Sequence, residues 1–97
     1  MEPAFLHFFI EGRVQGVGFR RFVLRKANEF SLTGWVQNTS DHRVEVLACG
    51  RADNLSSFLQ ACQKGPLFSS VTSIVFADVP SDITKAPCVQ EGFVIKR

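Results

Sequence analysis

A chain of 97 residues with 45% hydrophobic residues, 21% charged residues and a formal net charge of +2 has the size of one domain, spanning residues 1–97. That length buries a core without disulfides or a structural metal. Ten Phe, four Pro and near-average charge exclude an intrinsically disordered chain, and no apolar run approaches the roughly 18 residues of a membrane-spanning helix.

Taken in chain order, the first pattern is Phe5 to Glu11. Leu6, Phe8 and Ile10 alternate with His7, Phe9 and Glu11, which predicts a half-buried strand ended by Gly12. The N-terminus carries no positive n-region and no small-residue cleavage site, so it reads as this strand and not as a signal peptide. From Phe19 to Phe30, apolar residues at Phe19, Phe22, Val23, Ala27 and Phe30 predict an amphipathic helix, with Arg21, Arg25, Asn28 and Glu29 on its wet side. Thr33–Asn38 and Arg43–Cys49 predict a hairpin around Thr39-Ser40-Asp41-His42.

Asp53 is a suitable N-cap for a second helix, whose Leu55, Phe58, Leu59 and Cys62 repeat at helical spacing before Gly65-Pro66 stops it. Val71 to Asp78 predicts a strand. Val79 to Glu91, with Pro80 and Pro87, predicts a loop, and Gly92 to Lys96 a short last strand. The order βαββαβ plus a terminal strand implies an α+β, ferredoxin-like sandwich, one antiparallel sheet with two helices on one face. The phenylalanines follow these periods and are expected in the core. Cys49, Cys62 and Cys88 are odd in number, without metal-ligand spacing. Free thiols in a reducing cytosol are expected, with no metal site.

The segment that composition does not explain is Gly12-Arg13-Val14-Gln15-Gly16-Val17-Gly18-Phe19-Arg20, between the first strand and the first helix. Its glycines let backbone N–H groups approach a ligand closely, and the following helix adds unpaired N–H groups and the positive end of its dipole. An anion is the natural guest. Arg13, Arg20, Arg21, Arg25 and Lys26 gather nearby with no acidic residue among them. The dinucleotide fingerprint fails, because Arg21 stands where its third glycine belongs. The Walker motif fails as well, because Gly18-Phe19-Arg20 replaces its glycine-lysine pair. The RNA-recognition signature is only partly mimicked, with Gln15 and Val17 at its basic and aromatic positions.

This loop, together with Thr33-Gly34-Trp35-Val36-Gln37-Asn38, Arg43-Val44-Glu45-Val46 and the closing Gly92-Phe93-Val94-Ile95, closely resembles the acylphosphatase family over nearly the whole chain. The resemblance implies a cytoplasmic, monomeric enzyme that hydrolyses the carboxyl-phosphate bond of small acyl phosphates, without metal or organic cofactor. It implies that Arg20 binds the phosphate and that Asn38 holds the attacking water. The backbone amides of Val14, Gln15, Gly16, Val17, Gly18 and Phe19 would cradle the phosphate, and inorganic phosphate or sulfate would compete there.

These roles are chemically coherent in their own right. Phosphoryl transfer asks for positioning and charge stabilisation, which a guanidinium and a ring of amides supply. A carboxylate leaves readily, so no strong general acid is required. A carboxamide orients water but is too weak a base to deprotonate it, which leaves the substrate phosphate to take the proton. His7 and His42 are isolated and are not expected in the chemistry. His42 also departs from the family pattern, which commonly has glycine after Asp41, and this bears on the hairpin beside Asn38. Two other readings remain: a non-catalytic anion or nucleic-acid binding module, against which the low net charge speaks, and an acylphosphatase-like domain of a hydrogenase-maturation carbamoyltransferase. Met1 just before the first strand and Arg97 just after the last favour the free-standing enzyme.

Overall fold

The computed structural model describes residues 4–79 and 92–96. Alternation decides the first strand, β1 (Ala4–Arg13), in which Phe8 and Ile10 are fully buried while His7, Phe9 and Glu11 face the other way and stay half-buried. Gly12 does not end β1 as expected. The register shifts between Glu11 and Gly12, and pairing resumes at Gly12 with Val71 and at Arg13 with Ser70. Gly12 has φ 127°, and an added Cβ would lie 2.0 Å from the Ser70 carbonyl oxygen, so only glycine fits this bulge.

Helix α1 (Phe19–Glu29) buries Phe19, Phe22, Val23 and Ala27, and exposes Arg21, Arg25, Asn28 and Glu29, the two faces its spacing implies. β2 (Thr33–Asn38) and β3 (Val44–Gly50) form the hairpin, with Trp35 opposite Leu47 and Asn38 opposite Val44. Helix α2 (Ala52–Lys64) is capped by Arg51, not by Asp53. Asp53 sits in the first turn instead. There its carboxylate accepts from the Asn54 N–H at 2.9 Å and favours the positive end of the helix. β4 (Ser70–Phe76) and β5 (Phe93–Ile95) complete the described elements. The expected loop at Val79–Glu91 and the third cysteine, Cys88, lie almost wholly outside the described residues.

The sheet order is β4-β1-β3-β2-β5. The β1–β3, β1–β4 and β2–β3 pairs are antiparallel, but β5 runs parallel to β2, with Gly34, Trp35 and Val36 opposite Phe93, Val94 and Ile95. The expectation of a purely antiparallel sheet is therefore corrected to a mixed one. β4 and β5 lie at opposite edges of the sheet, so the connection 77–92 has to span from one edge to the other, and β5 meets β2 with no hairpin between them to force the antiparallel direction. Both helices pack on the Phe8 face, α1 against β2 and β5, and α2 against β1 and β4. The Phe58 ring on α2 meets Phe8 at 6.3 Å and Phe93 at 6.2 Å between centroids, tying the helix to both sides of the sheet. Each such buried ring contributes about 1.5–3 kcal/mol.

The phenylalanines are not all core. Phe68 and Phe76 are 78% and 56% exposed, Phe68 in the loop after α2 and Phe76 on the edge strand β4. Nor are the thiols all free. Cys62 is a buried free thiol, but Cys49 is disulfide-bonded, so a reducing compartment does not follow from the cysteines.

On the helix-free face, Glu45 accepts from Gln37 Nε2 at 2.8 Å and pairs with His7 Nε2 at 2.7 Å, while His7 Nδ1 lies 2.7 Å from the Asp78 carbonyl oxygen. His7 is thus a cross-strand tie, not an isolated residue. The Arg43 guanidinium lies 4.1 Å from the Phe9 ring centre, and the Lys96 ammonium 4.3 Å from that of Trp35. Both aromatic faces are covered by cations from their own chain.

Candidate active site

Residues 14–18 connect β1 to α1. Val14 and Phe19, each 1% exposed, pin the two ends in the core, and Val17 packs against it from between them. Gly16 and Gly18 stand at φ 74° and 77°. A left-handed residue at the mouth of a helix turns the chain so that the first helical N–H groups point outward. Gly18 caps α1 without any side-chain hydrogen bond, and the first helical bond runs from the Phe22 N–H to the Gly18 carbonyl at 3.1 Å. The amides of Phe19, Arg20 and Arg21 consequently face an open end with no capping side chain to satisfy them.

The first turn of α1 contains no acidic residue and two arginines, Arg20 and Arg21. A cation at a helix N-terminus opposes the dipole at about 0.3–1 kcal/mol. This start is built against its own electrostatics, an arrangement that a bound anion reverses.

Opposite the helix start lies Asn38, the last residue of β2. A cavity of about 230 Å³ is lined by Val14, Gly18, Phe19, Arg20, Arg21, Asn38 and Ile95. The two residues singled out from the sequence, Arg20 and Asn38, therefore meet in one cavity with Val14, Gly18 and Phe19. Gln15, Gly16 and Val17 do not line it.

Gln15 acts elsewhere. Its side-chain amide donates to the Thr39 carbonyl at 3.0 Å and to the Arg43 carbonyl at 2.9 Å, strapping the loop to the turn that follows Asn38. The turn holds despite His42, which takes the left-handed conformation at φ 69°. The Thr39 N–H bonds the Arg43 carbonyl at 2.9 Å, the Thr39 hydroxyl donates to Asp41, and Arg43 Nε donates to Asp41 at 2.9 Å. The Thr39 hydroxyl, then the Arg43 guanidinium, hold the Asp41 carboxyl below its ordinary range. Side-chain bonds here replace the ease that glycine would bring.

Gln15→Ala is expected to lower stability by about 1–2 kcal/mol, near the low end for two hydrogen bonds because both carbonyls keep other donors. In thermal unfolding this is a fall of about 4–16 °C. An unchanged midpoint would mean that the strap carries no energy.

Two lining residues were not singled out as site residues. Arg21 was one of five cations in the basic cluster, but only it and Arg20 reach the cavity. Arg25 and Lys26 lie over Phe22 at 5.6 and 5.8 Å, Lys26 also pairs with Glu29 at 3.4 Å, and Arg13 ends β1 opposite Ser70. Ile95 arrives only because β5 docks beside β2, which no local pattern announces. Among the described residues no group of His, Cys, Asp and Glu is placed to hold a metal ion, and burial pushes the Cys62 thiol up, away from nucleophilic use.

Comparison with known proteins gives this geometry a lineage. A family model described as Acylphosphatase matches residues 6–95. An acylphosphatase of Bacillus licheniformis is 52% identical over 65 residues, which are 67% of this chain and 72% of that one. The crystal structure of acylphosphatase from Bacillus subtilis superposes with a TM-score of 0.85 and 40% identity, covering 96% of this chain and 98% of that one. HypF of T. kodakarensis aligns at a TM-score of 0.79 and 30% identity over 95% of this chain, but over only 12% of its own. A match that runs from β1 to β5, on a cavity joining the glycine loop, Arg20 and Asn38, places the chain in the acylphosphatase family.

Proposed function

We propose that this chain, as a single domain over residues 1–97, hydrolyses the carboxyl-phosphate bond of small acyl phosphates to a carboxylate and inorganic phosphate. The observation that carries the reading is the meeting of Arg20, Asn38 and the open amides of the α1 start in one cavity. Arg20 pairs with two phosphoryl oxygens through its planar fork, and the amides at the open start of α1 take the others. The Asn38 carboxamide accepts a hydrogen bond from water and aims its oxygen at phosphorus. The water oxygen bonds to phosphorus as the bond to the carboxyl oxygen breaks. The carboxylate leaves with the electron pair, and the water proton passes to a phosphoryl oxygen.

Inorganic phosphate and sulfate compete for the same amides, and no organic cofactor enters the scheme. A cytoplasmic, monomeric protein completes the reading. Among the described residues no helix is long and apolar enough to cross a membrane.

Benzoyl phosphate hydrolysis, followed by loss of ester absorbance, tests the proposal. Turnover by the native chain, competitively inhibited by inorganic phosphate, is the expected result. A folded protein without turnover overturns it, and salt-dependent RNA binding in its place would identify a nucleic-acid module.

A further inference from the structure

We infer that Arg21 selects the substrate, and that the cavity suits acyl phosphates whose acyl group bears a second negative charge; the inference rests on the phosphate-binding reading above. Arg20 and Arg21 both line the cavity, and among the described residues no carboxylate lines it with them. One phosphoryl group at a helix start, held by amides and a bidentate guanidinium, accounts for Arg20. It leaves Arg21 unexplained.

Arg21 is the less sheltered of the two, exposed where Arg20 is half-buried, so it stands at the mouth while Arg20 stands deeper. Neither arginine is in an ion pair among the described residues. Several other cations have partners. On the same helix Lys26 pairs with Glu29, and Arg25 lies over Phe22. Arg43 and Arg51 pair with Asp41 and Asp53. Like Arg20, Arg21 combines an unfavourable place on the helix dipole, no ion pair among the described residues and a position on the cavity wall, but no phosphoryl contact accounts for it.

Among the described residues the rest of the lining is Val14, Gly18, Phe19, Asn38 and Ile95, of which Val14 and Phe19 are themselves almost wholly buried. A substrate lying in this cavity therefore meets phosphate-binding groups at the α1 start and a guanidinium without a counter-charge at the opening. An acyl chain ending in a carboxylate or a second phosphate satisfies both. An uncharged acyl chain leaves Arg21 in water.

The test compares benzoyl phosphate with 3-carboxybenzoyl and 4-carboxybenzoyl phosphate, using the native protein, Arg21→Gln and Arg21→Lys. The native chain is expected to favour at least one carboxylated ester in kcat/KM. Arg21→Gln should lower the ratio of carboxylated to plain acyl phosphate by roughly 1.5-fold to fivefold, the scale of one exposed, salt-screened ion pair. Arg21→Lys should keep part of the preference, and about 0.5 M salt should shrink it in the native protein within a Debye length of about 4 Å. An equal ratio in native protein and Arg21→Gln overturns the role of Arg21. Failure to hydrolyse any of the three esters overturns the phosphate reading instead, so the two failures are distinguishable.

Discussion

Replacing Arg20 by Gln is expected to lower kcat/KM for benzoyl phosphate by about a thousandfold or more while leaving the protein folded. The guanidinium is proposed to hold two equatorial oxygens as their charge grows, and loss of such a donor or arginine contact costs about 10²–10⁵ in rate. Glutamine keeps part of the stem and offers a single neutral amide. Inhibition by inorganic phosphate should vanish with the rate, because the same contact binds ground state and product. Stability should move the other way. Arg20 occupies the first turn of α1 against the dipole, so its neutralisation should leave the thermal midpoint unchanged or raise it by a few degrees. Retained turnover with retained phosphate inhibition would assign the anion contact to the backbone alone. A collapsed fold would mean that Arg20 is structural, contrary to its half-buried place at the cavity wall.

Asn38→Ala is expected to lower kcat by about a hundredfold to a thousandfold, with phosphate inhibition changed by less than about threefold. The separation follows from geometry. Asn38 comes from the end of β2, across the cavity from the α1 start that carries the open amides, so removing it should spare the anion and lose the water. Positioning a nucleophile accounts for losses of this size. Steady-state kinetics with inorganic phosphate as inhibitor separates the two quantities. Full activity would remove Asn38 from the reaction, whereas a parallel loss of phosphate affinity would make it a phosphate ligand.

Where the chain repeats at period two or 3.6, its structure could be read directly. β2 runs Thr33–Asn38 as its alternation indicates, and α1 begins at Phe19, the first residue of its apolar stripe. Most of the misreadings share a cause, a distant partner that overrides a local signal, and the cap of α2 is a local boundary displaced by two residues. Gly12 looks like a strand end, yet β4 pairs across it through a bulge. Asp53 looks like a cap, yet the helix starts a residue earlier at Ala52. His7 looks isolated, yet Glu45 and the Asp78 carbonyl reach it from other strands. β5 is a three-residue strand whose direction no side chain encodes, so its parallel pairing was not legible. The site divides in the same way. Arg20 and Asn38 stand in recognisable motifs, whereas Ile95 joins the wall only through β5, and Arg21 reaches the cavity from the first turn of α1 beside Arg20.

The parallel docking of β5 also sets when the protein can begin to work. Ile95 lies far along the chain from Val14 and Asn38, with which it shares the cavity. Ribosomes add about 5–20 residues per second, so the glycine loop and the β2–β3 hairpin are synthesised seconds before the strand that walls the cavity. Bringing residue 95 back to β2 closes the longest sequence separation in the site, and the entropy of that closure comes due last. A nascent chain carrying Arg20 and Asn38 thus holds these cavity residues at an unwalled surface, and completing the fold and completing the cavity are one event.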